Sequence, residues 1–309
     1  RMPDGRAPTP GTFIGNHDTG RAAMMIKAQS GAEGDELLAR VNLGHSLLYL
    51  LRGAPVIYYG DEFGMIGIGG DKEARHDLFA TQVSAWQTQE RVGSSPIGAG
   101  SSFEVKDHPV GQHLRELAAL RKQFPVLWRG ATLPRDRNDG AMAISRFDAA
   151  DQREYVTLFN NSTESRVLEF ATSTPSATFT AVWGGVESTN SDAEGYMSVE
   201  IPPLTAAILR AEAKYPLVKQ TPVVAAAPDD FSELWLLSAE TSESPQEVSF
   251  LIDDGTGWRR VAVDDSFPYR AFVDPDALPP GSTSRIVAVS RFADGTVVPS
   301  GIATFTNTK

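Results

Sequence analysis

Short apolar runs and polar clusters alternate along the first 130 residues, and their spacing decides which element each predicts. Phe13 and Ile14 close a run too brief for a helix, followed by Gly15 and then Asn16, His17 and Asp18. This pattern predicts a strand over 12–15 that opens into a polar loop. From Asp35 to Arg52, Leu37, Val41, Leu47, Leu48 and Leu51 recur at helical spacing. A helix follows, with Asp35 as its N-cap and Gly53 as its C-cap. Pro55 forbids continuation. Val56, Ile57, Tyr58 and Tyr59 then predict a second strand, which ends again in polar residues, Gly60, Asp61 and Glu62. Strand, helix and strand make one βαβ unit with acidic residues beyond both strands. Residues 19–34 read as a connecting loop on the rim of the site, with Met24, Met25 and Ile26 anchoring it in the core, or, as the alternative, forming an apolar wall for a sugar face.

A second amphipathic helix is predicted over 107–124, with Pro109 in its first turn and Leu114, Leu117, Leu120 and Phe124 as its buried stripe. Beyond Gly130 the texture changes to short β-prone runs. They begin at Ala141, Glu154, Arg166, Thr178 and Leu204, separated by turns such as Asn160-Asn161 and Gly184-Gly185. Close, regular strands with polar turns predict an antiparallel sandwich. Residues 211–230 break the pattern and read as a linker, with a boundary near Lys214. Further runs begin at Leu234, Val248, Trp258, Tyr269, Arg285 and Val297, with Asp254-Gly255 and Asp294-Gly295 as hairpin signals. These predict a second, immunoglobulin-like sandwich. Its Trp235, Trp258 and Tyr269 are read as core aromatics, with a sugar-stacking platform as the alternative.

Composition narrows the function. The net charge of −11 argues against nucleic acid and an anionic membrane surface as partners and suits a neutral substrate. There is no cysteine, which removes disulfides, thiolate metal sites and Cys nucleophiles but does not fix the compartment. No apolar run reaches the length of a bilayer span; the richest, near 47–59, is broken by Arg52, Gly53 and Pro55.

Two ordered blocks carry a resemblance. Phe13-Ile14-Gly15-Asn16-His17-Asp18 with Arg21, followed by Arg52-Gly53 and Pro55-Val56-Ile57-Tyr58-Tyr59-Gly60-Asp61-Glu62, resemble the end of the catalytic barrel of the α-amylase family of glycoside hydrolases. The first block is similar to the family's Asn-His-Asp motif after barrel strand seven, the second to its Tyr-Tyr-Gly-x-Glu motif on strand eight. The likeness covers about the first 130 residues. It implies a multi-domain chain: the last βα units of a (β/α)8 TIM barrel, residues 1–130, followed by two antiparallel β-sandwich domains. These are a C-terminal domain of the amylase type, 131–213, and an immunoglobulin-like accessory domain, 214–309.

Glycoside hydrolysis needs carboxyl groups on both sides of the scissile bond. The resembled family retains configuration and uses three acids, of which Asp18 matches only the third, the carboxylate that stabilises the transition state. The resemblance gives His17 to sugar hydroxyls and Asn16 to substrate binding or bracing of the loop. Arg21 is placed on the substrate side, and Tyr59, Asp61 and Glu62 near the site in structural roles. Arg75 and Asp77 are rim residues by the resemblance, or equally a solvated charged loop closed by a salt bridge. His76, with no partner at metal-ligand spacing, reads as surface. No metal site is expected in this chain.

The nucleophile and acid/base are expected upstream of Arg1, as are the loops that hold the family's calcium. The resemblance therefore implies the C-terminal portion of a retaining α-glucan hydrolase acting on α-1,4-glucosidic bonds, inactive alone. Its expected partners are an α-glucan or malto-oligosaccharide and the missing N-terminal barrel segment. A secreted or periplasmic location is the expectation. The competing reading is an amylase-like barrel without catalysis that binds glucan or a protein.

Overall fold

The computed structural model describes residues 7, 9–67, 69–78, 80–98 and 107–307. Strand β1 (Gly11–Thr12) is followed by helices α1 (Ala22–Ser30) and α2 (Gly34–Leu50), and then by β2 (Ala54–Pro55). β1 and β2 pair in parallel, with Ala54 N–H donating to Pro10 and Val56 N–H to Thr12. This is the predicted βαβ unit with three corrections. Both strands are shorter and lie earlier than the apolar runs at 12–15 and 56–59, because the hydrogen-bonded ladder stops where each chain turns toward its polar loop. Phe13 and Val56 are each 53% exposed. The stretch 19–34 is helical over α1 rather than a loop. Ala22 to Ile26 are unbranched or apolar residues that propagate a helix, and Met24 and Ile26 pack against Leu37, Val41 and Leu114. Finally, Asp35 lies in the first turn of α2 rather than at its cap, and the helix is capped at Leu51.

Gly53, expected to be that cap, has a different task. Its φ is +147° and a Cβ there would stand 2.5 Å from the Thr12 side chain. Glycine at this position is what lets β1 and β2 approach.

Helices α3 (Ser84–Gln87), α4 (Pro109–Gln123) and α5 (Val126–Arg129) follow. α4 is the predicted amphipathic helix, with Val110, Leu114, Leu117 and Leu120 buried. Leu50 of α2, Leu117 and Leu120 of α4 and Val126 and Leu127 of α5 bury one apolar face. They pack on Tyr155, Phe159, Ala206 and Ile208 of the sheet that comes next.

That sheet contains β3 (Ala131–Asn138), β4 (Ala141–Phe147) and β5 (Glu154–Asn160), then β7 (Thr178–Trp183), β8 (Thr189–Asn190) and β10 (Thr205–Ala211), in the order β3-β4-β5-β10-β7-β8. β6 (Arg166–Ala171) and β9 (Tyr196–Ile201) form a separate two-stranded antiparallel sheet that covers its other face. β5 is buried at every position because helices lie on one side and the β6–β9 pair on the other. β3, β8 and β9 have no counterpart among the runs expected from sequence.

The remaining strands form two sheets. One is β11 (Val223–Pro228), β12 (Trp235–Glu240) and β15 (Tyr269–Val273). The other is β13 (Glu247–Asp253), β14 (Arg259–Asp264), β16 (Thr283–Arg291), β17 (Val297–Pro299) and β18 (Ala303–Thr306). All these pairings are antiparallel, and Leu237, Phe250, Ile252, Tyr269 and Ile286 fill the space between the sheets. The expected linker over 211–230 is a correction: Val223–Pro228 is an edge strand registered against β12, and Tyr215 is buried on Phe147. Of the three aromatics, Tyr269 is core and Trp235 packs against it. Trp258 is 41% exposed beneath the Arg285 guanidinium, so it does not belong to the core as expected.

Candidate active site

The polar loop beyond β1 is closed by Asn16. Asn16 N–H donates to the Gly20 carbonyl at 3.3 Å, and Asn16 Oδ1 accepts from Asp18 N at 2.8 Å, Thr19 N at 2.9 Å and Thr19 Oγ1 at 3.0 Å. An asparagine that satisfies the turn's own donors fixes a tight loop without help from outside. Asn16 is thereby used as a brace. His17 and Asp18 stand at the tip, with side chains 63% and 69% exposed. His17 Nε2 is 3.3 Å from Asp18 Oδ2.

Arg75 approaches the same tip from the segment after β2. Its Nη2 is 3.9 Å from Asp18 Oδ1, donates to the His17 carbonyl at 3.3 Å and to Asp71 Oδ2 at 3.2 Å. The loop is closed by ion pairs, and Arg75 reaches Asp18 within it. Asp77 does not share in this. It is half-buried and accepts from Thr81 Oγ1 at 2.8 Å.

Arg21 was expected on the substrate side and is instead fully buried, which corrects that expectation. Its guanidinium donates to the Tyr59 carbonyl at 2.9 Å, Asp61 Oδ1 at 2.8 Å, the Ala74 carbonyl at 3.0 Å and His76 Nδ1 at 3.3 Å. The rings of Tyr58 and Tyr59 lie 4.9 and 5.6 Å from it. A buried cation must be paired and hydrogen-bonded all round, and this one is. Burial pushes the Asp61 carboxyl up from the usual carboxylate range, against the pull of Arg21. Asp61 therefore serves the fold as Arg21's counter-ion. Glu62 Oε2 accepts from Gly60 N at 2.7 Å and ties the turn that precedes it. Gly60 has φ +92°, and a Cβ there would meet Arg21 Nη2 at 2.8 Å and Met65 Sδ at 2.7 Å. The glycine of Tyr59-Gly60-Asp61 is needed because the guanidinium lies against the backbone.

His76 is a further correction. It is buried, because Arg21 Nε and Gln89 Oε1 occupy its two ring nitrogens and Trp86 packs on its ring. Gln89 was not anticipated, and no local pattern around it could have revealed it. Among the described residues, no group of three or more His, Cys, Asp or Glu side chains is arranged to hold a metal ion.

Chemically, the site offers an exposed carboxylate and imidazole at the carboxyl end of a parallel strand, rimmed by a guanidinium. Such a tip can accept hydrogen bonds from, and donate them to, the hydroxyls of a neutral polar ligand.

A family model described as "Alpha amylase, catalytic domain" matches residues 5–96. An α-amylase of Streptomyces lividans is 35% identical over 286 residues, which is 90% of this chain and 31% of that protein. A cyclomaltodextrinase of Geobacillus thermopakistaniensis is 30% identical over 118 residues, 38% of this chain and 15% of that protein. An α-amylase structure from Anoxybacillus shares the fold with a TM-score of 0.51 and 21% identity, covering 68% of this chain and 39% of that one. The chain thus spans less than a third of the length of either curated relative. On these matches the chain belongs to the α-amylase family.

Proposed function

We propose that this chain is the C-terminal portion of a retaining enzyme that hydrolyses α-1,4-glucosidic bonds of an α-glucan or malto-oligosaccharide. The observation that carries this is the Asp18 carboxylate, exposed at the end of a parallel strand beside His17 and Arg75, inside the segment that matches the amylase catalytic domain. Asp18 accepts hydrogen bonds from hydroxyls of the sugar at the scissile bond. Those bonds shorten as positive charge develops on the ring, so they favour the transition state over the bound substrate. His17 holds hydroxyls of the same sugar.

Retaining hydrolysis needs a nucleophile and an acid/base about 5 Å apart. Asp61 is buried in an ion pair, so it cannot fill either role. We assign both roles to residues on other strands of the same barrel, outside 1–309. In this reading β1 and β2 are the last two strands of an eight-stranded barrel, and the other βα units cover Phe13 and Val56. Residues 131–213 and 214–309 are its two β-sandwich domains.

The test is Asp18→Asn in the complete enzyme. The change keeps shape and removes charge, so turnover of soluble starch is expected to fall by about 10²-fold or more while the melting temperature stays put. Full turnover in the variant would remove Asp18 from the reaction.

A further inference from the structure

Both residues that flank Arg75 are held by one side chain. Arg21 Nη2 donates to the Ala74 carbonyl at 3.0 Å, and Arg21 Nε donates to His76 Nδ1 at 3.3 Å. Arg21 itself ends the loop that carries Asp18, and Arg75 Nη2 returns to within 3.9 Å of the Asp18 carboxylate. Asp18, Arg21, His76 and Arg75 therefore form a closed circuit through two chain segments. A shift of His76 must move Arg75, its neighbour in sequence.

The protonation of His76 follows from its partners. Arg21 only donates, so Nδ1 carries the lone pair and the proton sits on Nε2. Nε2–H then needs an acceptor, and Gln89 Oε1 supplies it. The orientation of that amide is set independently, because Gly67 N–H donates to the same oxygen at 3.1 Å. Trp86 packs on the imidazole with ring centroids 5.2 Å apart.

We infer that His76 and Gln89 are positioning residues, the neutral imidazole oriented by Gln89 holding the Arg75 rim beside Asp18 and so setting affinity for the glucan chain. This rests on the α-glucan hydrolase reading. A proton on Nδ1 would set donor against donor and a second cation against buried Arg21. Burial, helped by Arg21, holds His76 below its ordinary range, with Gln89 and Asp77 pulling the other way. The charged groups facing the ring are thus Arg21 from the loop after β1, with its counter-ion Asp61, and Asp77 from the ring's own segment.

The test uses the complete enzyme with maltoheptaose, measuring KM, kcat, calorimetric Kd and melting temperature across pH. Gln89→Glu puts a carboxylate on Nε2 and favours the imidazolium. KM and Kd are expected to rise about three- to tenfold as pH falls below about 7, with kcat nearly unchanged, and to recover at higher pH. The wild type should show no such rise over that range. A folded Gln89→Glu whose pH profile superimposes on the wild type would overturn the inference. Should that variant not fold, Arg75→Ala and Arg75→Ala/Gln89→Asn decide: the second change should add nothing to the first, and additive losses of affinity overturn the inference. A wild type that binds maltoheptaose without cleaving it would sink the hydrolase reading alone, and Kd then judges the positioning role. A wild type that neither binds nor cleaves would sink both.

Discussion

Arg52 Nε donates to Asp265 Oδ1 at 2.8 Å, joining residues 213 apart in sequence. Arg52 sits between α2 and β2, two residues before the strand that leads to Tyr59 and Asp61. Asp265 sits between β14 and β15 of the last sandwich. Around the pair, Thr132 N–H donates to the Asp265 carbonyl at 2.8 Å, and Phe267 N–H donates to the Thr132 carbonyl at 2.9 Å. Arg146, fully buried nearby, is held below the ordinary guanidinium range, at about 10, by burial, with Asp265 opposing that shift. All three parts of the chain meet at one residue, Asp265, whose carboxylate takes Arg52 and whose main-chain carbonyl takes Thr132.

Asp265→Ala should therefore destabilise the protein more than a surface change does. It removes a carboxylate that accepts from Arg52 and whose charge acts on buried Arg146, at a cost of about 2–4 kcal/mol. Urea denaturation of the complete protein reads this, and a loss under about 0.5 kcal/mol would show that the junction is not coupled.

His17→Ala should act on binding more than on turnover. The ring is exposed and its ion-pair contact is with the equally exposed Asp18, so the melting temperature is expected to hold while KM for malto-oligosaccharides rises. Steady-state kinetics separates the two, and a fall in kcat equal to that of Asp18→Asn would contradict it.

Gly60→Ala should be costly although it adds one methyl. The position has φ +92° and the new Cβ would press on Arg21 and Met65. A loss of about 2–4 kcal/mol is expected, from backbone strain and displacement of a buried cation. Alanine tolerated there, by denaturant titration, would show that the guanidinium is not held against the backbone.

Stability should fall on mild acidification. His45, buried in α2, is held down to about 4 by burial, and so is His108, before α4, with Arg91 adding to the effect. Their unfolded values lie near 6.5, so the unfolded chain binds more protons between about pH 6.5 and 4. Stability is fully present above that window and is lost as pH falls through it. His45→Gln should flatten the dependence, read as urea midpoints at several pH values.

The last sandwich should fold by itself only if its edge strand is kept. A piece from 216 retains β11 and should melt cooperatively. A piece from 231 lacks Val223–Pro228, exposes β12 as an edge and should be markedly less stable or aggregate. Differential scanning calorimetry of the two pieces compares them directly.

What the sequence determined by itself was everything that depends on neighbours along the chain. Apolar spacing placed α2 and α4, since burying one helical face is a local, periodic requirement. The turns and β-prone runs after Gly130 placed most strands for the same reason. The tripeptide Asn16-His17-Asp18 was legible because an Asx-type loop is built from its own side chain and backbone. What tertiary structure decided was the fate of groups whose partners lie far away. Arg21 and His76 look like surface residues in sequence, and each is buried because charges and carbonyls 38 to 55 residues distant gather around the guanidinium. Val223–Pro228 became a strand only because β12 offers it a ladder, and Gly53 was freed from capping by the close approach of Thr12. Desolvating a charge is tolerable only where the fold supplies its partners, and no stretch of sequence read alone contains them.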